Sequence, residues 1–398
     1  MLKIYLDNTM KEEKALIEII RAVLAGEKEF RQFAQISSGE IEQIMACARK
    51  HGLLPFLQEC PWFMQEPYRK KMFSYLKSYA YKDVRQMYMT EELFEQFEIN
   101  GIFCMPLKGI RTKQFYPCSE MRTMGDLDIL YKKEQTEKLN KLMRTMGFEF
   151  EGYNIKHDHY KKDGIDIEMH RNLLFRLSHG YEYFEKIWDR AKPVEGKQYI
   201  YEMSLEDHYL HTMYHLIEHF LRGGVGIRMV LDIYLLSHLP QLDREYVQRE
   251  LEVLEIRKFE ENIRQLGELW FGSAEKVPAR TEMLEELEAY VLSGGIFGSR
   301  EMERRNGTIL YQSKGKFLRQ LFFPSYEVMK TACPWLTTPL LLPFAWISRY
   351  RRALTKERRM FQHHIKRMRA FDKADEQETK ERRQFFEKCG LKYMSLKW

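Results

Sequence analysis

At 398 residues, with 44% hydrophobic content, the chain is long enough for two or three domains and too apolar for global disorder. No run of about 18 apolar residues occurs, so no membrane-spanning helix is expected. The opening MLKIYLDNTMKEEKA lacks an apolar signal core, which makes the cytoplasm the expected location. The net charge of +6 is unevenly placed: Leu341 to Trp398 holds 16 Lys+Arg against 7 Asp+Glu, so the basic character belongs to the tail and the remainder is mildly acidic.

The first hundred residues read as helical. Ala15, Leu16, Ile19, Ile20 and Val23 fall at helical spacing within Glu12 to Leu24. Ser37 with Glu40 three residues on predicts a capping box, and Gly52 predicts the end of that second helix. Tyr68 to Phe97 has no Gly or Pro and predicts one long helix or two joined ones. At Asn100-Gly101 the character changes to a mixed α/β block. A strand is expected over Ile102 to Leu107, a helical stretch from Lys108 to Tyr116, a strand around Leu127 to Tyr131 and a helix from Glu134 to Met146. Strands are also expected at Phe148 to Tyr153, His157 to Lys161 and Ile165 to His170, with turns at Asn154 and Asp163-Gly164. Ser204 with Asp207 predicts the cap of a later helix, broken at Gly223-Gly224, and another helix is expected over Met229 to His238. The expected division is a helical region over residues 1–99, a core over 100–203, a helical domain over 204–310 and a basic helical region over 311–398. The six cysteines are scattered without a C-x-x-C pair, which points to reduced, buried thiols.

The strongest chemical signal is Gly125-Asp126-Leu127-Asp128-Ile129-Leu130. Side chains alternate along a strand, so Asp126 and Asp128 share one face while Leu127 and Ile129 take the other. Two carboxylates side by side repel each other, and a divalent cation with a preference for oxygen ligands relieves the repulsion. The plainer alternative is a solvated edge-strand face. A second strand repeats the pattern: Asp166, Glu168 and His170 face one way, and Ile165, Ile167 and Met169 the other. Two such strands side by side would gather the acids for two metals about 4 Å apart. Upstream, Lys108-Gly109 stands at a strand–helix junction, where backbone N–H groups attract phosphate. Arg122 could offer a fork to a phosphate oxygen.

Together, Leu107-Lys108-Gly109, Tyr116, Arg122 to Leu130, Gly147-Phe148, His159 and Ile167-Glu168-Met169-His170 resemble the uncharacterised bacterial nucleotidyltransferase family of the DNA-polymerase-β-like superfamily. The specific resemblance covers roughly residues 102–172, with a weaker echo through His215, His219, Arg228 and Asp232 and through the Pro-rich Trp335–Ile347 stretch, which is too short and interrupted to span a bilayer. It implies an α+β fold: a polymerase-β-like core, a mixed sheet with flanking helices, between helical N- and C-terminal regions. It implies that Asp126, Asp128 and Glu168 are catalytic and metal-binding, with Mg²⁺ or Mn²⁺ as cofactor. Lys108, Gly109 and Arg122 would bind the nucleotide. The implied reaction moves an NMP from an NTP to an unidentified hydroxyl acceptor (small molecule, sugar or protein) with release of pyrophosphate. Ile110 departs from the superfamily, which usually has Gly or Ser after the glycine. The rival readings are an inactive nucleotide- or partner-binding protein and an RNA-modifying enzyme using the basic tail. Nucleic acid is the less favoured partner, because only the tail is basic.

Asp166, His170, His215, His219 and Asp232 are candidates for a substrate pocket, with Asp232 orienting an imidazole. His211, His215 and His219 recur every four residues on one helical stripe, and His215 to His219 matches H-x-x-E-H. Zinc is the lesser expectation there, since so short a pattern arises easily by chance. His157 and His159 share a strand face and read as exposed hairpin residues rather than nucleotide contacts. The tail from Arg349 to Lys397, with Phe361, Phe371, Phe385, Phe386 and Tyr393, reads as an amphipathic helix whose apolar stripe packs on the body. Single-stranded nucleic acid or an anionic membrane surface are its alternatives.

Overall fold

A computed structural model describes residues 11–33, 36–153, 156–175, 178–273, 278–295, 298–311, 314–333, 335–355 and 376–391. Helix α1 (Lys11–Leu24) turns its Leu16, Ile19 and Ile20 inward against α2 (Ser38–His51). The capping box forms: the Ser37 hydroxyl accepts from the Glu40 N–H, and the Glu40 carboxylate accepts from the Ser37 N–H at 2.9 Å. Gly52, at φ 67°, closes α2 in the left-handed conformation that glycine adopts freely. The long Gly- and Pro-free stretch is a single helix, α3 (Arg69–Ile99), whose last turns bury Met89, Leu93 and Phe97.

The sheet follows. Strand β1 (Cys104–Pro106) leads into the short helix α4 (Lys108–Thr112), then β2 (Leu127–Tyr131), helix α5 (Thr136–Thr145), β3 (Glu149–Tyr153), β4 (His157–Lys162) and β5 (Ile165–His170). The first strand and α4 are shorter than the sequence pattern suggests: pairing with β2 covers only Cys104 to Pro106, and the chain after Thr112 tightens into a 3-10 turn. The order is β1-β2-β5-β4-β3; β2 and β5 run parallel and the other neighbours antiparallel. Asp163 and Gly164, at φ 52° and 76°, make the turn between β4 and β5. Asn154 lies outside the described residues.

The remaining helices are α6 (Tyr181–Glu185), α7 (Ile187–Arg190), α8 (Leu205–Arg222), α9 (Ile227–Ser237), α10 (Arg244–Val253), α11 (Arg257–Phe271) and α12 (Glu282–Ser293). Beyond them come α13 (Arg300–Tyr311), α14 (Lys314–Phe322), α15 (Tyr326–Ala332), α16 (Leu342–Thr355) and α17 (Glu376–Lys388). On α17, Phe385 and Phe386 pack on Phe220 and Tyr290, as an apolar stripe on the body should. Phe361, Phe371 and Tyr393 lie outside the described residues. All six cysteines are free, and all but Cys118 are buried. The fold is α+β.

Two cores cover the two sheet faces. Leu127, Ile129, Ile165, Ile167 and Met169 pack with Leu93, Phe97, Leu139 and Met143 from α3 and α5. On the opposite face Met105, Leu107 and Leu130 join the core shared by α1, α2, α8, α9, α11 and α12. Helix α8 therefore lies over the face that carries the acids. Its Ser204 cap accepts from the Asp207 N–H at 3.0 Å. Ser204→Ala should cost about 1 kcal/mol, read as a lower denaturation midpoint at unchanged slope.

Candidate active site

The parallel register sets Asp128 directly beside Glu168 and Leu130 beside His170. Antiparallel β4 then sets His159 beside Glu168 and His157 beside His170. Alternation puts Asp128, Glu168, His170, His157 and His159 on one face. This face is not a solvated edge: Asp128 is 4% exposed and His170 1%.

At the centre, the Asp128 carboxylate accepts from Lys108 Nζ at 2.6 Å and from His170 Nε2 at 2.7 Å. His170 Nε2 also lies 3.3 Å from Glu168 Oε2, and His157 Nδ1 lies 2.8 Å from the same oxygen. Lys108 reaches the acids from a left-handed backbone, φ 42°, at the junction of β1 and α4. Burial works against its charge, but Asp128, Glu168 and Asp126 outweigh burial and raise its pKa. Burial likewise opposes ionisation of Asp128 and Glu168. Lys108 and His170 nevertheless hold Asp128 well below the usual carboxylate range, and His157 and His170 bring Glu168 down to about 2. His170 is held neutral chiefly by burial.

Asp126 differs. Among the described residues no side chain bonds to it, and burial together with the Asp128 charge pushes its carboxyl up to about 7. A half-buried carboxylate with a carboxylate neighbour and no side-chain partner fits the donor set of a divalent cation. A further group of potential ligands, His157, Glu168 and His170, places its donor atoms within 4.8 Å of one another. Asp166 sits at the rim instead, 3.3 Å from His159 and 3.6 Å from Lys161.

Helix α8 roofs the cluster. His211 and His215 are held neutral by burial and by the charges of Lys108 and Lys156, and burial lowers His219 to about 4. Lys156 pairs with Glu218 at 3.1 Å. Arg222 and Lys156 both lie over the Phe175 ring, at 4.7 and 5.7 Å. The roof is thus rich in cations and neutral donors, opposite a floor of carboxylates.

The sequence model of a family described as an uncharacterised nucleotidyltransferase matches residues 37–272, which takes in the whole sheet, α2 and the α8 roof. The chain belongs to this nucleotidyltransferase family. Comparisons with curated proteins and with solved structures returned no match.

In this nucleotidyltransferase, two expectations for single side chains need correction. The Arg122 fork does not face the acids: Nε and Nη2 each bond Asp232 at 2.8 Å, leaving only Nη1 outside the pair. Asp232 in turn accepts from the Tyr116 hydroxyl at 2.6 Å and orients an arginine rather than an imidazole. The second concerns His157, which the strand pattern marks as an exposed hairpin residue and which instead touches Glu168. The signal was present in the sequence, since His157 alternates with His159 as Glu168 does with His170, but the partner strand decides it. Lys156 and Glu218 carried no local signal at all, because 62 residues separate them.

Gly109 also gains a physical role in the nucleotidyltransferase. A Cβ there would meet Arg122 Nη1 and Met124 at 2.8 Å. Gly109→Ala should push Arg122 off Asp232 and cost about 2 kcal/mol in thermal unfolding. An unchanged melting temperature would mean that Met124 and Arg122 move aside freely. The H-x-x-E-H residues on α8 form no group of converging metal ligands among the described residues, and Glu218 Oε2 pairs with Lys156. A separate trio, Glu13, Cys47 and His51, converges between α1 and α2. There His51 Nδ1 accepts from the Ile227 N–H, which fixes the ring proton on Nε2 and leaves no lone pair facing a metal on that side.

Proposed function

We propose that the chain transfers a nucleoside monophosphate from an NTP to a hydroxyl acceptor with release of pyrophosphate, and that Asp126, Asp128 and Glu168 are its metal ligands. The observation that carries this reading is the pairing of Asp128 beside Glu168, with Asp126 half-buried two residues away and no side chain bonded to it among the described residues. Mg²⁺ or Mn²⁺ held there would activate the attacking hydroxyl and stabilise the departing oxygen. Lys108, at the mouth of α4, is placed to exchange its Asp128 contact for a phosphate oxygen and to balance charge on the pyrophosphate. Arg122 holds the loop before β2 through Asp232, with Nη1, which makes no bond to Asp232, lying toward the Gly109 turn. His170 and His157 fix the orientation of Asp128 and Glu168. The α8 roof, with His211, His215 and His219, excludes water and faces the acceptor.

The test is incubation with each labelled NTP and Mg²⁺, with and without cell extract, followed by a search for labelled product that includes the protein itself. Label transferred from the α-phosphate position, lost on chelation and not restored by zinc alone, is the expected result. Calorimetry showing equal NTP affinity with and without Mg²⁺ would sink the metal assignment.

A further inference from the structure

Helices α15 and α16 have a small core of their own. Met329, Cys333, Leu336 and Ala345 are buried together, apart from the two larger cores. The outer side of this hairpin is apolar. Leu340 is 84% exposed, Phe344 63% and Ile347 56%, and Trp335 on the connection is 48% exposed. Phe323, also exposed, meets the Trp346 ring edge at 5.1 Å. Positions 340, 344, 347 and 351 follow helical spacing, so Leu340, Phe344, Ile347 and the exposed Arg351 form one outward stripe. Single exposed apolar side chains are ordinary, whereas a cluster of this size marks an interaction surface.

The charge says what covers it. Helix α16 contains Arg349, Arg351 and Arg352 and no acidic residue, and from Leu341 onward 16 Lys+Arg stand against 7 Asp+Glu. Two copies of a helix that carries three arginines and no acidic residue would gain no charge complementarity from each other. Of the four exposed side chains Trp335, Leu340, Phe344 and Ile347, only Trp335 and Phe344 could stack a base, whereas Leu340 and Ile347, which share the surface, offer no ring. Tryptophan, phenylalanine and leucine beside arginine suit the boundary between lipid headgroups and acyl chains. We propose that Trp335, Leu340, Phe344 and Ile347 seat this hairpin in the plane of an anionic lipid surface, with Arg351 among the headgroups. The chain would lie on the bilayer rather than cross it; no helix among the described residues is long and apolar enough to span one. This docking stands independently of the transfer reaction.

The experiment is co-sedimentation of the full chain with phosphatidylcholine vesicles, plain or containing phosphatidylglycerol. Binding to the anionic vesicles that falls with salt, and weak binding to the neutral ones, is expected. Leu340→Glu with Phe344→Glu should weaken partitioning at least about tenfold, because two apolar side chains that would enter the lipid become charges. Both side chains are exposed, so the variant should fold; the wild-type arm decides the matter without it. Failure of the wild type to bind anionic vesicles overturns the proposal, as does binding that the double variant retains. Wild-type dimers that the double variant dissolves, or retention on a single-stranded oligonucleotide, would each overturn it if vesicle binding were absent.

Discussion

Asp128→Asn should reduce nucleotide transfer about a thousandfold in kcat/KM, the scale expected when a metal-coordinating charge is removed from a water-excluded site. The same change should destabilise the fold by about 3 kcal/mol, because Lys108, 15% exposed at its side chain, loses its ion-pair partner and stays buried. Asp126→Asn makes the informative contrast. It should reduce transfer by a similar factor, yet stabilise the metal-free protein. The Asp126 carboxyl titrates at about 7 in the fold against an ordinary 3.8, so the folded state favours the protonated form. Stability from this group is therefore complete below the ordinary value and is lost as pH rises through the folded one. At pH 8 the asparagine variant should gain about 2 kcal/mol over the metal-free wild type. Mg²⁺ should narrow that gap by stabilising only the wild type. Thermal melts of both proteins from pH 4 to 8 without metal check this, because the buried neutral histidines affect wild type and variant alike; a gap between the two that does not widen from pH 4 to 8 would contradict the assignment.

Lys108→Ala should slow turnover about a hundredfold, or about 3 kcal/mol, if its ammonium balances charge on the departing pyrophosphate. The backbone gives a way to separate charge from conformation. Lys108 holds φ 42°, which glycine adopts without strain and alanine does not. Lys108→Gly should consequently be more stable than Lys108→Ala by about 1 kcal/mol while losing the same catalytic factor. A glycine variant that turns over at the wild-type rate would show that Lys108 serves only the turn. Removing the lysine also leaves Asp128 with His170 as its bonded partner. Both variants should therefore bind Mg²⁺ more tightly than the wild type, because the cation no longer competes with an internal ammonium for the same oxygen.

Much of the architecture was legible locally because local forces set it. Period-two alternation in Asp126 to Leu130 and in Ile165 to His170 marked two strands, each with an acidic and an apolar face. Side-chain caps at Ser37 and Ser204 marked helix starts, and both formed. What alternation cannot say is which face another element covers. The acid face was compatible with an edge strand in water; only the crossing of α8 and the shared core of α1, α2 and α9 bury it. Nor can spacing say where a long cation ends. Arg122 stands four residues before Asp126, yet its partner is Asp232, 110 residues on, because a buried guanidinium must find a carboxylate and the helix that supplies one is brought there by packing. His157, Lys156 and Glu218 entered the picture for the same reason. The sequence by itself determined which residues could bear the chemistry. The tertiary structure decided which of them meet, since those meetings join segments far apart in the chain and only the burial of both sheet faces holds them together.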